Sequence, residues 1–187
     1  MRAFLAVPVE EPALAEVRAL LSSLREQIGG VRWTSDDSLH ITVHFFGSVS
    51  GEDALRAVSL LRHIVSDTSS FAVTLDMLGE FPPRGGPRVL WAGPSGQVDS
   101  LDTFARATRE ALREDGFGVD ERPFRPHCTL GRPRERWPAH SRDAWRRIAG
   151  GAFNAQFDAT RLVLYESITK SSGAVHVPRM ELPFTTS

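Results

Sequence analysis

The chain has 187 residues, 41% of them hydrophobic and 24% charged, with a formal net charge of −1. That length supports one full core or two small lobes sharing one, and the near-zero charge argues against indiscriminate nucleic-acid binding. A single cysteine excludes an internal disulfide and argues against a cysteine-based metal site; with no basic leader and no apolar run near the roughly 18–20 residues of a membrane span, the expectation is a cytoplasmic enzyme or binding protein without membrane contact.

Residues 2–9 alternate loosely and predict a first strand. Pro12 suits the start of a helix in which Leu14, Val17, Leu20, Leu21, Leu24 and Ile28 recur at helical spacing, and Gly29-Gly30 ends it. A polar loop over 33–38 leads into Leu39-His40-Ile41-Thr42-Val43-His44-Phe45-Phe46-Gly47. Ser50 offers a cap, with Asp53 three residues on, to a second helix striped by Leu55, Val58, Leu61 and Ile64. Residues 71–78 predict a strand with Phe71, Val73, Leu75 and Met77 on one face.

Residues 81–87, Phe-Pro-Pro-Arg-Gly-Gly-Pro, are the strongest breaker in the chain, and after them the order of elements begins again. A strand is predicted over 89–92 and a helix over 99–115, carrying Leu101, Phe104, Ala105, Ala111 and Leu112 and closed by Gly116. A second strand-like stretch reads Pro126-His127-Cys128-Thr129-Leu130-Gly131-Arg132. A short helix around Trp145 and Ile148 follows Pro138, and residues 153–167 supply one or two strands. Strand, helix, motif strand, helix, strand thus occurs twice at an offset of about 85 residues. The inference is one bilobal domain built by duplication, approximately 1–82 and 87–168, with the two motif strands meeting at a pseudo-twofold seam.

Each motif strand carries His-x-Thr, and side chains alternate faces along a strand. His40 and Thr42 therefore share a face, as do His127 and Thr129, while Ile41, Val43, Cys128 and Leu130 point into a core. The same alternation puts His44 and Phe46 on the His40 face and Phe45 in the core. A single H-x-T is common by chance; two, each inside a strand-like run and in a repeated context, point to a paired site.

These residues resemble the 2H phosphoesterase family, specifically the RNA 2',3'-cyclic phosphodiesterases, or 2'-5' RNA ligases of the LigT type. The likeness also takes in residues 2–7, Val31-Arg32-Trp33, Pro87-Arg88-Val89-Leu90-Trp91 and residues 122–126. Arg132 matches the arginine that extends the second motif, and His44 stands where the family pattern would have Lys. The resemblance implies an α+β fold: two pseudo-twofold-related lobes of antiparallel sheet flanked by helices, an active-site cleft between them, and final strands returning to the lobe that holds the N-terminus. It implies metal-independent hydrolysis of 2',3'-cyclic phosphate ends on RNA or nucleotides to 2'-phosphomonoesters, with His40 as proton donor and His127 as base. The two motifs by themselves do not distinguish those roles.

The chemistry agrees with the residue types. Two facing imidazoles can hold opposite protonation states near neutral pH, which suits in-line displacement at phosphorus. Thr42 and Thr129 would donate to the non-bridging oxygens, and Arg132 would add a fixed positive charge. Eight arginines lie between positions 122 and 147 against Glu135 and Asp143, so Arg125 joins Arg132 as a candidate phosphate contact. Phe45, Phe46, Phe124 and Tyr165 raise base stacking, with Phe46 and Phe124 the favoured candidates. Cys128 is expected to be buried and inert, and His63, His140 and His176 are expected to be surface or structural residues. His40 and His44, four residues apart on a strand, are separated by roughly 13 Å and cannot chelate one zinc, so no cofactor and no metal are expected. The rivals are RNA ligation, with a 5'-hydroxyl in place of water, and a non-catalytic RNA-end binder. A monomer is expected.

Overall fold

The computed structural model describes residues 1–83, 85–170 and 173–186; Arg84, inside the breaker stretch, lies outside them. Strand β1 (Arg2–Pro8) is buried from its second residue onward. Helix α1 (Ala13–Gln27) buries Ala13, Val17, Leu21 and Leu24, the 3–4-residue spacing of one helical face. Strand β2 (Val31–Trp33) ends where the expected loop begins, and a 3-10 turn (Asp36–Ser38) forms inside that loop. Strand β3 (His40–Ser48) then leads to α2 (Gly51–Ser66), whose Ser50 hydroxyl accepts from the Asp53 amide at 2.9 Å as the capping pattern requires.

Strands β4 (Phe71–Leu75), β5 (Met77–Phe81) and β6 (Val89–Gly93) precede α3 (Asp99–Glu114). Strand β7 (Cys128–Pro133), helix α4 (Ala139–Ala149), β8 (Ala155–Ala159), β9 (Arg161–Lys170) and β10 (Gly173–Pro183) complete the chain.

One antiparallel sheet runs β10-β9-β1-β3-β7-β6-β5, with β2 paired to β7, and β4 pairs β8 in a separate ribbon. β9 lies against β1, so the final strands do return to the N-terminal side, as expected from the resemblance. The exchange is reciprocal: β5, from the first half of the chain, pairs with β6 on the β7 side. The sheet, α1, α2 and α3 contribute to one buried apolar cluster that includes Leu5, Ile41, Leu61, Leu101, Cys128 and Leu130.

Three sequence expectations change. The strand expected over 71–78 breaks at Asp76, whose carboxylate accepts from the Ser95 amide and hydroxyl at 2.6 and 2.8 Å. Those bonds turn the chain out of the β4–β8 ribbon, so Met77 is 39% exposed and Leu78 is buried instead. On α2 the buried residues are Ala54, Ala57, Val58, Leu61 and Val65, and Leu55 stands exposed, because two alanines take the contact positions of the stripe. Strand β10 carries no signal strong enough to be expected at all, and it holds a site residue described below. Among the described residues no helix is long and apolar enough to cross a membrane.

Candidate active site

The two motif strands meet through one residue pair, Ile41 opposite Cys128, and both side chains are fully buried. Counting outward along these antiparallel strands puts His40 across from Thr129 and Thr42 across from His127. Directly opposed residues share a face. Two imidazoles and two hydroxyls therefore alternate at the corners of a small rectangle, on the side of the sheet away from Ile41 and Cys128. Diagonal neighbours in such a pair lie about 7–8 Å apart, close enough for His127 to act on the charge state of His40. Neither threonine hydroxyl has a hydrogen-bond partner among the described residues, which leaves both donors open to a ligand.

Both imidazoles are held the same way. His40 Nδ1 lies 2.7 Å from the Ser38 carbonyl, and His127 Nδ1 lies 2.7 Å from the Arg125 carbonyl. A carbonyl only accepts, so each Nδ1 carries the hydrogen and donates it. Each neutral ring then keeps a bare lone pair at Nε2, and each protonated ring offers a proton there. Nε2 is the ring nitrogen left free for a ligand on both sides.

The rings are walled by different partners. His40 packs against Phe4 at 4.8 Å and Tyr165 at 5.7 Å, and meets His176 edge-on at 5.3 Å. His127 meets Phe81 edge-on at 5.1 Å and Trp91 at 6.5 Å. On each side the aromatic pair is itself stacked, Phe4 on Tyr165 at 5.2 Å and Phe81 on Trp91 at 5.0 Å. The Trp91 indole lies flat over Gly79, where a Cβ would come within 2.2 Å of its ring, so only glycine permits this wall beneath His127.

Burial lowers the pKa of all three cleft histidines. His40 is pushed down to about 4, by burial first and then by His176, against the support of the Ser38 carbonyl, with His127 adding a further lowering. His127 is lowered by burial and by Arg132, opposed by its hydrogen bond to the Arg125 carbonyl. His176 is lowered by burial and by Arg132. The Arg132 guanidinium thus acts on both His127 and His176 from the same side of the sheet. The Arg125 side chain is exposed, and what Arg125 supplies to the site is its main-chain carbonyl.

His176 is a correction. Expected to be a surface or structural residue, it stands in the cleft on β10, in register with Ser167 of β9, with its Nδ1 buried and unpartnered. No motif marks it, and its position depends on a pairing between β9 and β10 that leaves no local signature.

The aromatic expectations also change. β3 is irregular against β1 at Phe46, between the Phe45 and Gly47 pairs, and again nearer the site, where Ala6 pairs with Thr42 and Leu5 with His44, so Val43 is the extra residue of a bulge. Its carbonyl is met instead by Arg109 Nε of α3 at 3.2 Å. The bulge inverts the alternation beyond it. His44 turns to the core face opposite Leu5, with its pKa lowered to about 4 by burial and then by Arg109, and Phe46 packs edge-on against it at 4.5 Å and against Phe117. Phe45, expected in the core, is 50% exposed opposite Phe4, with Arg2 over its ring. Phe124 also lies outside the cleft, beneath the Arg109 guanidinium at 5.2 Å. Of the four aromatics raised from sequence, Tyr165 alone touches a motif histidine.

Cys128 is fully buried and its thiol is pushed up to about 12, which keeps it protonated and unreactive. His40 and His44 face opposite sides of the sheet, and among the described residues no group of three His, Cys, Asp or Glu converges to hold a metal.

The family model described as the 2'-5' RNA ligase superfamily matches residues 9–170. An Archaeoglobus fulgidus protein named RNA 2',3'-cyclic phosphodiesterase is 29% identical over 94% of this chain and 96% of its own length. One of the same name from Methanothermobacter thermautotrophicus is 30% identical over 87% and 85%. Among solved structures, E. coli LigT complexed with 3'-AMP superposes with a TM-score of 0.76 at 25% identity, covering 98% of both chains. TT0787 of Thermus thermophilus gives 0.84 at 22% identity over 98% of both, a likeness of fold.

Proposed function

The chain belongs to the 2'-5' RNA ligase superfamily, and from that premise we propose that it opens 2',3'-cyclic phosphate ends of RNA or nucleotides to 2'-phosphomonoesters without a metal. The observation that carries this reading is the matched pair of imidazoles, each with Nδ1 tied to a carbonyl at 2.7 Å and Nε2 left for the substrate. In-line hydrolysis needs a base on one side of phosphorus and an acid on the other, and two histidines at diagonal positions of one strand pair, about 7–8 Å apart along the backbone, can supply them from one face.

The cyclic phosphate sits between the two rings. His127 Nε2 takes a proton from the attacking water, a new P–O bond forms, and the bond from phosphorus to the 3'-oxygen breaks. His40 Nε2 gives its proton to that leaving oxygen. Thr42 and Thr129 donate to the non-bridging oxygens, where negative charge grows, and Arg132 adds a fixed cation. Ring strain and the built-in alcohol leaving group remove the need for a covalent intermediate. In the open site His40 is the harder ring to protonate, with its pKa near 4. The donor role therefore depends on the substrate's own negative charge to raise it.

Both motifs come from one chain, so a monomer suffices. We extend the proposal to a cytoplasmic setting and to an origin by duplication of segments near 1–82 and 87–168.

The test is turnover of a 2',3'-cyclic mononucleotide, with the product phosphate placed by phosphorus NMR, with and without chelator. The expected result is a 2'-phosphate at a rate indifferent to chelator. Absence of turnover, or its loss with chelator, overturns the reading.

A further inference from the structure

A second feature of the cleft face extends beyond the reacting groups. Arg32 of β2 lies directly opposite Arg132 of β7. Like charges directly opposed across strands are destabilising, yet neither guanidinium has a carboxylate partner among the described residues. The ladder continues past this pair, because the Arg134 amide donates to the Gly30 carbonyl at 2.9 Å. By alternation Arg134 shares the face of Arg132, about 7 Å further along at roughly 3.3 Å per residue. There it borders a cavity of about 440 Å³ that Arg88, Arg142, Trp137 and Glu135 also line.

Arg88, Arg134 and Arg142 make no side-chain hydrogen bond or ion pair among the described residues either. The track starts at the site itself. Phe81, the edge partner of His127, pairs with Val89, the residue after Arg88. Charge around a second cavity, of about 630 Å³ beside α3, is arranged differently. There Arg122 is paired with Asp120 at 2.6 Å and Arg113 with Glu121 at 3.5 Å. One basic region pairs two of its arginines with carboxylates and the other leaves its arginines open, and the open one adjoins the cleft through Phe81.

We propose that this arginine track, from Arg32 and Arg132 to Arg134, Arg88 and Arg142, is a subsite for the phosphodiester backbone of the nucleotides preceding the cyclic phosphate. It rests on the reading of the cleft as a cyclic-phosphate site, and it makes the protein selective for polynucleotide ends over free cyclic nucleotides. Arginine forks match phosphate oxygens in pairs, and a bound backbone relieves the repulsion between Arg32 and Arg132.

The experiment measures binding rather than turnover. A short oligoribonucleotide ending in a 2'-phosphate is compared with the corresponding 2'-mononucleotide, on the full chain, across a salt series. The wild type binds the oligonucleotide at least roughly tenfold more tightly, since hydrogen bonds to charged groups are the stronger class. Arg88→Ser, Arg134→Ser and Arg142→Ser each erode that preference, and the triple variant brings the two ligands close to parity. Each removed phosphate contact also lowers the salt slope for the oligonucleotide by about 0.7. Glu135→Gln, which removes the carboxylate lining the cavity, tightens oligonucleotide binding and keeps the test decisive if the triple variant folds poorly. Equal binding of both ligands by the wild type, or equal weakening of both in the arginine variants, overturns the subsite. A chain that fails to turn over cyclic phosphate while keeping the arginine-dependent preference would overturn the catalytic reading and leave the subsite standing.

Discussion

The His40 side and the His127 side of the cleft begin alike and end differently. Each has a histidine tied through Nδ1 to the carbonyl two residues back, and each has a threonine two residues on. Around His40 the neighbours come from β1, β9 and β10 and include a second imidazole, His176. Around His127 they come from β5 and β6 and are purely aromatic, with Arg132 beyond them. Local sequence repeats the working groups, and the strands that close over them decide how readily each ring takes a proton. Two copies of one motif are thereby given unequal electrostatics, with His40 the harder ring to protonate before substrate binds.

The largest break in the comparison is removal of either ring. His40→Ala and His127→Ala should each lose roughly 10²–10⁴-fold in turnover of a cyclic mononucleotide, the range of general acid or base catalysis. Circular dichroism and thermal unfolding should show both variants folded. Near wild-type activity in either one would mean the pair does not work as a pair.

Arginine contributions come next. Arg132→Ala should raise KM for the mononucleotide by about 10–100-fold, as expected for lost charge-assisted hydrogen bonds. Arg125→Ala should change it much less, because the carbonyl that holds His127 survives the substitution. Steady-state kinetics on both variants separates a guanidinium at the phosphate from diffuse positive charge.

A pH profile sharpens the asymmetry itself. Because His40, His127 and His176 are all lowered, the kcat/KM bell should lie on the acid side of 6.5, the ordinary histidine value. Bound anionic substrate favours the protonated rings, so the kcat profile should sit at higher pH. His176→Phe removes a group that lowers His40, so the limb governed by His40 should move to higher pH, with a smaller rate loss than either motif histidine gives. An unmoved limb would remove His176 from the electrostatics of the site.

The smallest effect is on stability and compares the two faces of β3. His44 has a folded value of about 4 against the ordinary 6.5. Above 6.5 it is neutral in both folded and unfolded states and contributes nothing. As pH falls toward 4 the unfolded chain takes up the proton first, and stability drops by up to about 3 kcal/mol. His44→Leu, similar in volume and without the unpartnered Nε2, should flatten that loss in denaturant titrations at pH 7 and pH 4.5. An unchanged pH dependence would place the acid lability in the cleft histidines instead.

What the sequence by itself determined is the local part of this protein. Strand alternation put His40 with Thr42 and His127 with Thr129 on one face, and Ile41 and Cys128 in the core, because a period of two needs no distant partner up to the first irregularity. Helices α1 and α3 were legible for the same reason, each from apolar residues recurring on one face. Tertiary structure decided the rest. The bulge at Val43 exists where β1 pairs on one side of β3 and Arg109 of α3 satisfies the stranded carbonyl, and it reversed the expected places of Phe45 and Phe46. His176 reaches His40 only because β10 lies along β9, and Arg32 faces Arg132 only because β2 pairs with β7, a contact between residues a hundred positions apart. Such pairings are chosen by the burial and hydrogen bonding of the whole sheet, so no short window of sequence contains them.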